Sequence, residues 1–129
     1  MRLAFFLVIA SLVGACVTYG EELNRGQRYF HNNEYERALA IFRALESDID
    51  SLPPPDRARY AYLRGMTDYR MSLRLDARHW LALARAYDEA SRGGLEEGWR
   101  DRMKDALKDL DNDVGPNLET AVAPEAGLD

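Results

Sequence analysis

Small and apolar residues return along this chain at one fixed interval. Gly26, Ala38, Phe42 and Leu45 are matched 39 residues later by Gly65, Ala77, Leu81 and Ala84. Four matches at one offset mark an internal repeat, and a unit of this length must bury its apolar face against a neighbour. Within the first unit, Leu23, Gly26, Tyr29 and Phe30, then Ala38, Ile41, Phe42 and Leu45, fall at three-to-four spacing, which predicts a helix in each half. Between them, Asn32-Asn33-Glu34-Tyr35 breaks the apolar rhythm, and asparagine tolerates the left-handed backbone of a tight turn. The unit is therefore predicted to be an antiparallel helical hairpin. Gly26 and Ala38 allow its two axes to approach closely, with Tyr29, Tyr35 and Phe42 filling the space around them.

Gly26, Tyr29, Tyr35, Ala38 and Phe42 together resemble the tetratricopeptide-repeat pattern. The second copy keeps Gly65, Ala77, Leu81 and Ala84 but has Asp68 and Arg74 where the pattern has aromatics, and the resemblance covers residues 21–91. It implies an all-α fold, a short right-handed helical-hairpin solenoid of two such repeats. Leu52-Pro53-Pro54-Pro55-Asp56 separates the hairpins; its prolines cannot continue a helix, and Asp56 is expected to cap the next one, whose stripe is Tyr62, Met66, Tyr69 and Leu73. After Gly93-Gly94, the residues Leu95, Trp99, Met103, Leu107 and Leu110 share one face, which predicts a C-terminal closing helix with Trp99 in the core. Residues 111–129 lack a periodic apolar face and read as a disordered acidic tail, leaving residues 21–110 as the helical domain.

The chain opens with Arg2 and an apolar run over residues 3–13. As a helix that run reaches about 16 Å, well short of the ~30 Å hydrocarbon core of a bilayer, so residues 1–15 read as a secretory signal rather than a membrane span. Val13-Gly14-Ala15-Cys16 contains the only cysteine. The alternative is an ordinary cut after Ala15 that leaves a free thiol, a liability in an oxidising compartment. The run instead resembles a bacterial lipoprotein box. That resemblance implies a lipid on Cys16, a tether over residues 16–20 and, with Val17 rather than Asp after the cysteine, export to the outer membrane, facing the periplasm.

The formal net charge of −5 comes mostly from Asp111, Asp113, Glu119, Glu125 and Asp129; apart from these and Arg2 the chain carries 16 basic and 17 acidic groups. So balanced a body does not attract phosphate backbones, and nucleic acid is not an expected partner. Enzyme chemistry is not expected either. His31 and His79 stand in different hairpins with no His or Cys at metal spacing beside either, His31 with Glu34 three residues on does not make a metal site, and no phosphate-cradling glycine loop is present, so no metal, cofactor or small-molecule substrate is expected.

What the two resemblances imply is a membrane-anchored lipoprotein of the bacterial cell envelope that acts as a protein-interaction scaffold or assembly factor for another envelope protein or peptide segment. An accessory or regulatory subunit of a cell-wall enzyme is the alternative. In such repeats the first helix of each hairpin lines a groove, which selects Leu23, Gln27 and Phe30, then Arg59, Tyr62, Met66, Tyr69 and Arg70 as the partner site. These residues lack the Lys/Asn clamp that some family members use for a peptide's terminal carboxylate. Because Tyr62, Met66 and Tyr69 also share the stripe with Leu73, a core role for them stays open.

Overall fold

The computed structural model describes residues 19–119, with side chains up to Asp113. The expected signal segment, Cys16 as the expected lipid attachment site, and residues 17–18 and 120–129 lie outside the described residues. Within them every regular element is helical: α1 over residues 19–31, α2 Tyr35–Leu45, a 3-10 segment Glu46–Ser51, α3 Pro54–Arg70, α4 Arg74–Ser91 and α5 Glu97–Glu119. The fold is all-α, built of helical hairpins, and none of the described helices is long and apolar enough to cross a membrane.

The 39-residue offset reappears in the backbone. At the first turn the Asn33 amide donates to the Phe30 carbonyl at 3.0 Å and the Glu34 amide to Tyr29 at 2.9 Å; at the second, Ser72 donates to Tyr69 at 3.2 Å and Leu73 to Asp68 at 2.9 Å. Asn33 and Ser72, again 39 apart, are both left-handed, with φ of 61° and 60°. Asparagine visits this region readily, whereas serine adopts it against its own steric preference. The tight turn is imposed by how closely the helices pack. A Cβ on Gly26 would sit 2.5 Å from Cε1 of Phe42, and one on Gly65 would sit 2.7 Å from Cγ of Leu81 and 2.9 Å from its backbone nitrogen. Each glycine thus receives the large residue sixteen positions on, whereas the sequence placed the close approach at the alanine twelve positions on.

Helix α3 starts earlier than expected. Pro54 and Pro55 occupy its first turn, where a missing amide donor has no intrahelical partner to lose. Asp56 therefore does not cap the helix; it lies inside it and pairs with Arg59 at 3.1 Å. The sequence stripe also understates the burial of this helix. Packed against α2, α4, α5 and the 3-10 segment, α3 is buried around its whole circumference over residues 60–68.

Polar side chains caught there must find partners, because an unpaired buried polar group costs about 1–3 kcal/mol. The Tyr60 hydroxyl donates to the Phe42 carbonyl and the Thr67 hydroxyl to the Leu63 carbonyl, both at 2.6 Å. Burial pushes Tyr60 up to about 12, so it stays neutral. Arg64 donates to Asp68 at 3.0 Å and to Glu46 at 3.1 Å, with its guanidinium 5.2 Å from the centre of the Trp80 ring. Asp68 Oδ1 is left without a partner among the described residues, and burial pushes this carboxyl above its usual range.

The closing helix is present and longer than expected. Leu95 is buried just ahead of α5, its amide donating at 2.8 Å to Asp88, which also accepts two bonds from Arg100 at 2.6 and 3.1 Å. Those Arg100 bonds hold the Asp88 carboxyl below its usual range and clasp the start of α5 to α4. At its other end α5 runs to Glu119, nine residues beyond Leu110, where an unstructured tail was expected to begin. Arg78 pairs with Asp111 at 3.0 Å, and Arg74 pairs with both Asp109 and Asp113, so acids that have no apolar stripe are held by α4 instead. Similarly, Tyr19 and Gly20, expected in the tether, already belong to α1, where Tyr19 packs partly buried against the core.

Candidate functional site

The eight residues selected from the sequence do not form one open groove. Leu23 is fully buried, and Tyr62 and Met66 are core residues that retain 1% and 4% exposure. The reason is α5, which lies across the inner face of α3: the Trp99 ring stacks on Tyr62 with centroids 4.6 Å apart and planes at 15°. Tyr69 is also engaged, its hydroxyl donating to Asp109 of α5 at 2.8 Å. At the other end, Arg59 donates to Asn24 at 2.8 Å and to Gln27 at 3.0 Å, stitching α1 to α3.

What remains accessible is a cleft of about 140 Å³ between the end of α1, the first turn, α3 and α5. Phe30, Tyr35, Tyr62 and Met66 form its aromatic and apolar wall; His31, Asn33, Arg70 and Arg102 form its polar rim. Phe30, Tyr62, Met66 and Arg70 were expected, but the other four were not. Arg102 could have been found: it follows Trp99 by three residues, one helical turn along the same face, as Arg70 follows Met66 by four. His31, Asn33 and Tyr35 join because the turn folds over the cleft. Its shape is fixed by the edge-on contact of Phe30 with Tyr35, 5.8 Å between centroids, and by the Tyr35 hydroxyl donating to Asn33 at 2.7 Å.

Cations dominate the electrostatics of the cleft. Burial pushes the Tyr62 hydroxyl above its ordinary range, opposed by Arg102 beside it and, less strongly, by Arg70. The hydroxyl thus stays protonated, and none of the residues lining the cleft is a carboxylate. A larger depression of about 580 Å³ runs past Glu34, Glu36, Arg37 and Met71, but it is broad and open, and Arg37 is already paired with Glu34 at 2.8 Å. The smaller cleft is the stronger candidate because its charges are uncommitted.

His31 sits on the cleft rim, whereas His79 lies edge-on to Trp80 on α4. Among the described residues, no group of three His, Cys, Asp or Glu side chains is placed to hold a metal ion. No protein-family model, curated protein or solved structure matches the chain.

Proposed function

We propose that this chain is a lipid-tethered scaffold of the bacterial cell envelope, a tetratricopeptide-like lipoprotein that binds another envelope protein and carries out no catalysis of its own. The observation that supports it best is the pair of hairpins whose turns share one hydrogen-bond pattern and one left-handed position, 39 residues apart, stacked beside an open aromatic cleft. Stacked helical hairpins of this kind expose extended binding surfaces. Anchoring rests on the sequence around Cys16, and the outer membrane facing the periplasm is the location that Val17 favours. Acylation of the mature N-terminus would hold the domain at a membrane, since two or more lipid signals suffice for stable anchoring.

Membrane fractionation of the wild-type chain and of Cys16→Ala, with mass analysis of the mature N-terminus and crosslinking in intact cells, tests this reading. The expected result is an acylated, membrane-bound wild type, a soluble variant, and a discrete crosslinked partner that depends on Cys16. A variant that stays with the membrane, or a wild-type N-terminus without acyl mass, defeats the tether; the absence of any crosslinked partner defeats the scaffold.

A further inference from the structure

We propose that the cleft between α1, α3 and α5 is a receptor for one acidic side chain, a Glu or Asp within an acidic peptide segment of the partner. This rests on the scaffold reading above and adds the chemistry of what is bound. Two helical ladders converge on the site: Tyr62, Met66 and Arg70 at successive turns of α3, and Trp99 and Arg102 one turn apart on α5. Each ladder carries an apolar or aromatic base and ends in an exposed guanidinium. Among the described residues Arg25, Arg37, Arg59, Arg64, Arg74, Arg78 and Arg100 are each paired with a carboxylate, and of the arginines without such a partner only Arg70 and Arg102 line this cleft. Arg70 and Arg102 have no ion pair among the described residues, yet both act on the Tyr62 hydroxyl.

Charge complementarity points to the occupant. The chain carries a formal net charge of −5, so as a whole it repels an anionic segment, and any preference for one must come from local cations. Planar guanidinium groups match a carboxylate with charge-assisted hydrogen bonds. Beside them, Phe30 and Met66 offer apolar contact to the neighbouring residues of the bound segment. A cleft of about 140 Å³ accommodates a single side chain rather than a folded element, which suits an extended or helical strip laid over the opening.

The test titrates the full chain in detergent with two capped peptides, Ac-Ser-Leu-Glu-Leu-Ser-NH2 and its Gln counterpart. Neither bears a terminal charge, so the comparison reads the side chain alone. The acidic peptide is expected to bind about tenfold more tightly or better, a preference that weakens with salt and disappears in the Arg70→Gln/Arg102→Gln variant at unchanged melting temperature. Arg70→Lys/Arg102→Lys, which keeps the charge and loses the planar fork, is expected to retain part of the preference. Equal binding of the two peptides, a preference that survives the double Gln variant, or no binding of either at millimolar concentration overturns the proposal. In each of those cases a partner crosslinked in cells leaves the scaffold reading standing on another surface. An acid preference without any such partner has the opposite meaning: the cleft is an anion receptor and the scaffold reading falls.

Discussion

The first hairpin, α1 with α2, and the second, α3 with α4, share a turn and a glycine contact but use most of their other side chains differently. Positions 39 apart read Arg25 and Arg64, Tyr29 and Asp68, Phe30 and Tyr69, His31 and Arg70, Tyr35 and Arg74. In the first hairpin Arg25 is exposed and pairs locally with Glu22 at 2.6 Å, and the aromatics at Phe30 and Tyr35 stay half-buried along the cleft. In the second, Arg64 and Asp68 are buried together, while Tyr69 and Arg74 are used to hold Asp109 of α5. The hairpin geometry is therefore set by steric positions, two glycines and two left-handed residues. The remaining positions were free to diverge, one set toward an accessible surface and the other toward holding the closing helix.

The largest expected effect lies in the buried pair, where the two hairpins differ most. Arg64→Met leaves the fully buried Asp68 carboxylate without its counter-charge and is expected to cost about 3–5 kcal/mol at neutral pH by thermal or denaturant unfolding. In that variant the carboxyl of the folded chain titrates above its unfolded value. The folded state then binds the proton more readily, so stability is greatest in acid and falls as pH rises through the raised value. Arg64→Met with Asp68→Leu, which makes this part of the second hairpin apolar, is expected to recover most of the loss. A single variant as stable as wild type would mean that the charged interior of the second hairpin contributes nothing that distinguishes it from the first.

The matched glycines come next. Gly65→Ala drives a methyl against the Leu81 backbone nitrogen, so α4 must shift; about 2–3 kcal/mol is expected, even after the better helix propensity of alanine is counted. The atoms nearest a methyl at Gly26 belong to the Phe42 side chain and not to backbone, so a smaller loss of about 1 kcal/mol is expected. Equal losses in parallel melts would show that the two contacts are interchangeable.

The smallest effect concerns the turns and is stabilising. Ser72→Asn copies the first hairpin's left-handed residue into the second, and a gain of about 0.5 kcal/mol is expected because asparagine tolerates this backbone better. A loss instead would show that the Ser72 side chain does something in its turn that Asn33 does not do in the first.

Some of this was decided by the chain itself. Helix periodicity, the Asn turn and the spacing of Gly26 to Phe42 and Gly65 to Leu81 are local or short-range properties, so two hairpins and an apolar stripe for a closing helix could be read from the residue order alone. The apolar base and one cation of the cleft, Phe30, Tyr62, Met66 and Arg70, were selected instead through the resemblance to a repeat family whose first helices line a groove. Only the tertiary structure decided which faces were covered. A stripe such as Tyr62, Met66 and Tyr69 has the same spacing whether it lines a groove or a core, and the return path of α5 over α3 made Tyr62 and Met66 core residues at the edge of a small cleft. That path also brought Arg102 beside Tyr62 from forty residues away and drew Asp109, Asp111 and Asp113 into a helix through Arg74 and Arg78. The packing of α3 against α4 and the 3-10 segment left Arg64 and Asp68 in an interior that their charge alone argues against. Burial depends on which surfaces meet, and that is settled by long-range packing after each helix has formed.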